Sequence, residues 1–210
     1  ITCGQNHVTG INLNANRLKG AIPAALGDLS RLVHLQLARN QLSGAIPTQL
    51  GTLTELRTLW LHENQLSGAL PAQLGNLANL RELILSNNQL TGTVPIQLTL
   101  LTNLTILRLD RNQFSGEIPP ELSVLANLTT LWLHENQLRS AIPVTLSTLG
   151  NLRELILSDN QLTGAIPPQL GNVSQLAILR LDRNELTGAI PPELGALPVL
   201  TTLWLHSHQL

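Results

Sequence analysis

The chain repeats one 24-residue pattern along its length without an insertion or a deletion. The pattern LxxLxxLxLxxNxLxGxIPxxLGx is first complete at Leu29, and it restarts at Leu53, Leu77, Leu101, Leu125, Leu149, Val173 and Leu197. A unit this short cannot bury a hydrophobic face alone, so successive units must stack. We therefore predict one elongated solenoid in which each unit adds one strand to a shared parallel sheet.

Positions in a unit are counted from its first leucine. Positions 7 and 9 are leucine in most units, as in Leu35 and Leu37. Because side chains alternate along a strand, these two leucines should enter the core, and positions 6, 8 and 10 should point outward. Position 12 is asparagine in eight successive units, and we expect this amide to bond backbone groups that the bending chain leaves unpaired. These residues are Asn16, Asn40, Asn64, Asn88, Asn112, Asn136, Asn160 and Asn184.

The string xL[ST]GxIPxxLG, which recurs after the asparagines with a few substitutions such as Ser140 for the glycine, resembles the plant-type leucine-rich repeats. That family is found in receptor-kinase ectodomains and in secreted proteins such as polygalacturonase inhibitors. The resemblance implies an α/β repeat solenoid, a right-handed superhelix with a concave parallel β-sheet and a convex side of short strands, turns and 3-10 segments. The first residues, ITCGQNHVTGINLNANRL, are similar to the end of the family's N-terminal cap, with Cys3 as its second cysteine.

We predict a single solenoid domain with three parts. Residues 1–28 form the end of the cap and a first repeat, residues 29–196 form seven repeats, and residues 197–210 form an incomplete last repeat. The asparagine series ends at His208, and the sequence stops within a unit, so we expect a fragment of a longer protein. An uncapped end predicts an end-to-end homodimer as a further expectation.

Composition limits the classes of partner. The formal net charge is -1, which offers no basic surface for nucleic acid and no polybasic membrane signal. No apolar run approaches the roughly 20 residues of a membrane span. Kinase and phosphate-loop motifs are absent from the sequence, so we expect no enzyme activity, no cofactor and no membrane contact within this chain.

The sequence also repeats with a longer period of 72 residues, which is three units. WLHENQL at Trp60 recurs at Trp132 and, as WLHSHQL, at Trp204, each time 72 residues further on. RELILSNNQLTG at Arg81 returns at Arg153 with one change, at the same interval. The simplest interpretation is duplication of a three-unit block, although a consensus-designed array would look the same.

All three tryptophans fall at position 8, in an outward column with isoleucine and arginine. Trp and Arg are the residues most enriched at binding hot spots. A second interpretation is self-packing, with Arg108 stacked on Trp132 and Arg180 on Trp204. The two interpretations are compatible, because a stacked pair is a preorganised anchor.

The predicted ligand surface combines the column with positions 10 and 11. It comprises Trp60, His62, Glu63, Ile84, Arg108, Asp110, Arg111, Trp132, His134, Glu135, Ile156, Arg180, Asp182, Arg183, Trp204 and His206. Ser, His and Asp alternate at position 10, but outward side chains in separate rows lack the oriented base and oxyanion hole of a hydrolase. We also expect no metal site, since histidines three units apart cannot share one ion.

We predict a recognition module, of receptor or inhibitor type, for a protein, peptide or carbohydrate ligand. The alternatives are a structural or ice-binding repeat, suggested by a serine/threonine row at position 15, and the sensor array of a signalling protein whose kinase or GTPase lies outside this chain. The family resemblance implies an extracellular or cell-surface location, or a cytoplasmic one for an intracellular signalling protein. Three sequons predict glycosylation at Asn103, Asn127 and Asn172.

Overall fold

The computed structural model of the protein describes residues 1–4 and 7–207. His208, where the asparagine series ends, lies outside the described residues, and the predicted last repeat is described only as far as Ser207. Within the described ranges, each unit before Leu197 contributes a strand, a second short strand and a 3-10 segment in the same order, and the last unit contributes one strand.

The strands, in chain order, are β1 (Thr2–Gly4), β2 (His7–Asn12), β3 (Lys19–Gly20), β4 (His34–Gln36), β5 (Gln41–Gly44), β6 (Thr58–Trp60), β7 (Gln65–Ala69), β8 (Glu82–Ile84), β9 (Gln89–Gly92), β10 (Ile106–Arg108), β11 (Gln113–Gly116), β12 (Thr130–Trp132), β13 (Gln137–Ala141), β14 (Glu154–Ile156), β15 (Gln161–Gly164), β16 (Ile178–Arg180), β17 (Glu185–Leu186) and β18 (Thr202–Trp204). The 3-10 segments are η1 (Ala24–Asp28), η2 (Thr48–Thr52), η3 (Ala72–Asn76), η4 (Ile96–Leu100), η5 (Pro120–Val124), η6 (Val144–Thr148), η7 (Pro168–Asn172) and η8 (Pro192–Ala196).

The concave sheet follows the order β1-β2-β4-β6-β8-β10-β12-β14-β16-β18. Strand β1 runs antiparallel to β2, and every later strand is parallel to the one before it. Equivalent positions of neighbouring units face each other, as Leu107 faces Leu131. The prediction of one parallel strand per unit is therefore confirmed for the described residues.

A second parallel sheet, β3-β5-β7-β9-β11-β13-β15-β17, lies beyond the bend that follows each concave strand. Its pairs are only two or three residues long. The chain then reaches a proline, as at Pro95 before η4, whose φ of -66° leads into the 3-10 segment. In the described residues, the helical part of the predicted α/β class consists of 3-10 segments alone.

The leucines at position 7 form the centre of the core, and from Leu35 to Leu179 they are fully buried. Beside them, the position-12 asparagines bond the backbone of their own unit and of the one before. Asn136 Nδ2 donates to the carbonyls of Leu109 (3.1 Å), Leu133 (3.0 Å) and His134 (3.3 Å), and its Oδ1 accepts from Phe114 N (2.9 Å). The structural role predicted for these asparagines is confirmed from Asn40 to Asn184, whereas, within the described residues, the exposed side chain of Asn16 donates only to Asn14 O.

The 3-10 side is packed closely at several position-23 glycines. A Cβ built on Gly27, Gly51 or Gly75 would lie 2.4 Å from a carbonyl oxygen of the next unit. Thr99, Ser123 and Ser147 occupy this position in the three central units. Since a Cβ is not tolerated at such a distance, the following 3-10 segment must stand further away in those units.

Candidate concave recognition surface

The position-8 residues form a straight column on the concave sheet. Strand pairing aligns Gln36 with Trp60, and it continues through Ile84, Arg108, Trp132, Ile156, Arg180 and Trp204. Neighbouring strands are about 4.8 Å apart, so equivalent residues of the three-unit block recur about every 14 Å. The geometric part of the prediction, a single file of these side chains, is confirmed.

Two arginines of the column lie flat on the tryptophan of the next unit. The guanidinium carbon of Arg108 is 3.7 Å from the ring centroid of Trp132, and that of Arg180 is 3.8 Å from the ring centroid of Trp204. Trp60 has Gln36 rather than arginine in the preceding unit. The predicted self-packing is therefore present at two of the three tryptophans.

The indole N–H groups are bonded to glutamates that sequence reasoning did not connect with them. Trp60 Nε1 donates to Glu82 Oε2 (2.9 Å), and Trp132 Nε1 donates to Glu154 Oε2 (2.8 Å). Each glutamate stands at position 6 of the following unit, 22 residues after the tryptophan. The recurrence of this Trp–Glu spacing in both blocks is the signal that could have identified the pair.

Position 10 corrects an expectation. Asp110 and Asp182, predicted as ligand residues, are buried, and so are Ser86 and Ser158. Asp110 lies between Ser86 and His134 of the neighbouring units and beside Arg108 of its own unit, and these larger or bonded neighbours cover it. The histidines at the same position, His62, His134 and His206, stay partly accessible. Ser86 Oγ donates to Asp110 Oδ1 (2.6 Å), and Ser158 Oγ donates to Asp182 Oδ1 (2.5 Å).

The serine, histidine and aspartate side chains at position 10 do not form a catalytic triad. His134 Nε2 lies 3.7 Å from Asp110 Oδ2, on the opposite oxygen from the one that Ser86 contacts. The serine hydroxyl is therefore bonded to a carboxylate and not to the imidazole that would have to accept its proton. Among residues 1–4 and 7–207, no group of three or more His, Cys, Asp or Glu side chains could hold a metal ion.

The isoleucines of the column are also less available than predicted. Ile84 is 8% exposed and Ile156 is 5% exposed, because larger neighbours along the column cover them. Of the predicted ligand surface, the residues that keep part of their surface accessible are Trp60, His62, Glu63, Arg108, Arg111, Trp132, His134, Glu135, Arg180, Arg183, Trp204 and His206. Ligand binding by these residues stays a prediction.

Position 11 adds a row of exposed charges that pair along the solenoid. Arg111 Nε lies 2.9 Å from Glu135 Oε1, and Arg183 Nη1 lies 3.1 Å from Asp159 Oδ2. The backbone at this position is left-handed, with φ of 55° at Arg111 and 53° at Glu135. Arginine and glutamate gain nothing from that conformation, so the surrounding bend imposes it on the candidate site.

Burial controls the charge of two histidines on this surface. It lowers the pKa of His134 below its ordinary value of 6.5, and the positive charges of Arg111 and Arg180 act in the same direction. Burial also lowers the pKa of His62, with Arg108 and Arg39 contributing. Both imidazoles are therefore mostly neutral at pH 7, although carboxylates oppose the shift in pKa, chiefly Asp110 at His134 and Glu63 at His62. At that pH the charged partner of Asp110 is Arg108, whose Nε lies 3.6 Å from Oδ1.

The predicted glycosylation sites differ in their surroundings. Asn103 and Asn127 each donate from Nδ2 to a carbonyl of the preceding unit at 2.9 Å, those of Ala78 and Thr102. Asn172 is exposed at the end of η7. Glycosylation itself stays a prediction at all three.

The family description that matches this sequence is "Leucine rich repeat", over residues 6–66, 54–114 and 102–162 and again over 175–197. No curated protein matches the sequence. No helix within the described residues is long and apolar enough to cross a membrane.

Solved structures with this architecture include receptor ectodomains and an ice-binding protein. The leucine-rich-repeat ectodomain of the Arabidopsis thaliana membrane receptor kinase GASSHO1/SCHENGEN3, in complex with CASPARIAN STRIP INTEGRITY FACTOR 2, is 39% identical, with a TM-score of 0.98 over 100% of this chain and 26% of that one. The Arabidopsis receptor kinase HAESA, in complex with the peptide hormone IDA and the co-receptor SERK1, is 39% identical, with a TM-score of 0.93 over 96% of this chain and 34% of that one. A plant ice-binding protein is 31% identical, with a TM-score of 0.81 over 99% of this chain and 68% of that one. The chain thus spans only about a quarter to a third of the length of these receptor ectodomains.

Proposed function

Because this chain belongs to the leucine-rich-repeat family, we propose that it is a non-enzymatic recognition module that binds a protein or peptide on its concave face. The observation that carries this proposal is the pair of stacked arginines, Arg108 on Trp132 and Arg180 on Trp204. We further propose that the module works outside the cell, as the sensing part of a receptor or as an inhibitor.

Stacking supports binding because it orders the arginine before a ligand arrives. A free arginine loses rotamer freedom when it is immobilised at an interface, and a preorganised one avoids much of that cost. The indole below it is held in turn, since Trp132 Nε1 is bonded to Glu154. The concave face therefore offers rigid Trp–Arg anchors of the kind that dominate protein interfaces.

The same stacking favours a peptide over a carbohydrate. A sugar ring would use the flat face of an indole, and Arg108 and Arg180 cover that face on Trp132 and Trp204. The strand register places Ile156 next to Trp132 on its other side. What the surface presents instead is guanidinium N–H groups, which are donors for carboxylate and carbonyl oxygens.

The receptor ectodomains that share this fold give independent support. The GASSHO1/SCHENGEN3 and HAESA structures are complexes with CASPARIAN STRIP INTEGRITY FACTOR 2 and with the peptide hormone IDA. The alignments cover a minority of those ectodomains, so the partner class of this chain is part of the proposal.

The test is a selection of short random peptides from a display library against the full 210-residue chain. Selected peptides should bind the parent and Arg139→Ala, which removes an exposed arginine from β13, outside the concave sheet. Binding should fall at least about tenfold in Trp132→Ala and in Arg108→Ala, provided circular dichroism shows both variants folded. Peptides that bind all four proteins equally would contradict the concave assignment, and a glycan array giving the only hits would replace the peptide with a carbohydrate.

Ice binding is the second candidate, because a plant ice-binding protein shares the fold and position 15 carries a row of hydroxyl side chains. The row consists of Ser43, Ser67, Thr91, Ser115, Thr163 and Thr187. Arg139 interrupts it on β13, and serine alternates irregularly with threonine, which weakens any match to a lattice. Thermal hysteresis that Thr163→Leu abolishes and Arg108→Ala leaves intact would make ice the ligand.

A further inference from the structure

The three-unit duplication creates two copies of one arginine subsite on the concave face. The first subsite is Arg108 with Trp132 and Asp110, and the second is Arg180 with Trp204 and Asp182. The carboxylate oxygen lies 3.6 Å from the arginine Nε in both. Trp60, with no arginine before it, has no such subsite.

Each guanidinium is held on two sides and open on a third. Its face lies on the indole, and its Nε edge faces the buried aspartate. At 3.6 Å the Nε–aspartate contact is an ion pair without a hydrogen bond, and Nε of both arginines is buried with no hydrogen-bond partner. Within the described residues the terminal nitrogens of Arg108 and Arg180 donate no hydrogen bond either, and the two side chains are 31% and 26% exposed. The free edge presents two N–H groups side by side, the geometry that binds a carboxylate through both oxygens.

The aspartates do not take the place of the ligand. Asp110 and Asp182 are buried and already accept from Ser86 and Ser158, so they orient the Nε edge from below. At position 11, Arg111 and Arg183 are paired with neighbouring carboxylates. Of these four arginines, Arg111 and Arg183 already donate to a carboxylate, and Arg108 and Arg180 are the two that donate no hydrogen bond within the described residues.

The distance between the two subsites sets the distance between the groups they bind. Arg108 and Arg180 are three strands apart in register, which is about 14 Å at a strand spacing of about 4.8 Å. An extended peptide advances about 3.4 Å per residue, so residues i and i+4 are also about 14 Å apart. Residues i and i+4 point to the same side of an extended chain, whereas i+3 and i+5 point away.

We propose that the concave face binds an extended acidic peptide whose carboxylates at residues i and i+4 occupy the Arg108 and Arg180 subsites. This inference rests on the proposed function and narrows its ligand to one spacing. Residue i+2 points to the same side as the acidic residues. It lies over the part of the column that contains Ile156 and so is a small or apolar residue.

The probes are synthetic peptides on a threonine and valine background, each with two glutamates, placed at i and i+2, at i and i+4, or at i and i+6. Binding to the full chain is measured by fluorescence polarisation at low salt. The i+4 peptide should bind at least about tenfold more tightly than the other two, because only it reaches both guanidinium groups. Exchange of one glutamate for glutamine should weaken it about tenfold.

A double-mutant cycle assigns the contacts. Arg108→Ala and Arg180→Ala should each weaken the i+4 peptide about tenfold, and Arg139→Ala should have no effect. In Arg108→Ala, glutamine in place of the glutamate that contacts Arg108 should cause no further loss of affinity. In Arg180→Ala, the same should hold for the other glutamate. Arg108→Lys should also lose most of the affinity, because lysine binds a carboxylate as a point charge.

The outcomes separate this inference from the proposed function. Equal binding of the three spacings, or no binding of any of them up to about 1 mM, overturns the inference. If peptides from the display library are nevertheless lost in the Trp132→Ala variant, the concave face still binds peptides, though not by this spacing. If those library peptides survive concave substitutions, the proposed function fails as well.

Discussion

The concave sheet and the 3-10 side keep the same 24-residue period, but different forces set the distance between units on the two sides. On the concave side, backbone bonds join neighbouring units, as when Leu109 N donates to Trp132 O at 2.9 Å. In the described residues, no backbone hydrogen bond joins one 3-10 segment to the next, and contact there depends on side chains and on glycine at position 23.

The two sides of the solenoid therefore tolerate different kinds of substitution. Because backbone groups fix the strand spacing, the concave column accepts tryptophan, isoleucine or arginine without a change of register. On the 3-10 side a single Cβ alters the spacing, and Thr99, Ser123 and Ser147 do so in the central units. Chemistry is therefore free to vary on the concave face, whereas shape is adjusted on the opposite side.

The largest effect should come from a substitution in the asparagine ladder, the row of position-12 asparagines behind the concave strands. Asn136→Ala removes three donated bonds and one accepted bond, and it leaves backbone groups of two units unpaired. We expect the free energy of unfolding, measured by denaturant titration, to fall by about 3 kcal/mol. Asn127→Ala, which removes one exposed bond, is the control and should cost at most about 1 kcal/mol. An equal decrease in unfolding free energy for the two variants would mean that the asparagine ladder contributes no more than one exposed hydrogen bond.

On the 3-10 side, the most destabilising single substitution should be at a position-23 glycine. Gly75→Ala would place a Cβ 2.4 Å from Gln97 O, a backbone atom of the next 3-10 segment. The two segments must separate, so we expect a loss of about 2 kcal/mol in unfolding free energy. A Cβ on Gly195 meets nothing within 4 Å, and Gly195→Ala should be neutral or slightly stabilising. A neutral Gly75→Ala would show that the 3-10 side yields without cost.

A smaller effect of opposite sign is expected at Ser140. Its φ is 74°, close to the 73° of Gly164, which holds the same place in the next unit. Serine adopts this conformation under strain and glycine does not, so Ser140→Gly should stabilise the chain by about 1 kcal/mol. Thermal unfolding in parallel with the parent measures it, and a lowered midpoint would contradict the strain assigned to this residue.

The smallest effect should be a pH dependence that arises on the concave side. The pKa of His134 is lower in the folded chain than its ordinary value of 6.5, so the unfolded chain binds more protons as the pH falls through that value. Unfolding free energy should therefore be highest above about pH 7, decrease as the pH falls towards about 5, and level off below the folded pKa.

The measurement is a series of denaturant titrations across that pH range. His134→Gln should reduce the slope, while the exposed His7→Gln serves as control. His62, whose pKa is also lowered, should account for part of the remaining dependence. A slope that is the same in parent and His134→Gln would remove His134 from this account.

The sequence allowed the repeat, the asparagine ladder and the tryptophan column to be predicted, because each follows from one residue type at one spacing. Position 10 was misjudged at Asp110 and Asp182 because alternation gives only the side on which a side chain lies, and not the serine, arginine and histidine neighbours that enclose these two carboxylates. The burial of Asp110 and Ile156 depends on the rotamers of larger neighbours, which spacing alone does not determine.

The 72-residue repetition also bears on how such a surface grows. Unequal recombination that inserts one whole block adds one further Trp–Arg subsite at the same spacing, and it lengthens the column by three units. Gain or loss of a single unit within the column would put later subsites out of phase with the earlier ones. The length of ligand that the column can contact therefore changes in steps of three units, while the chemistry of each subsite stays the same.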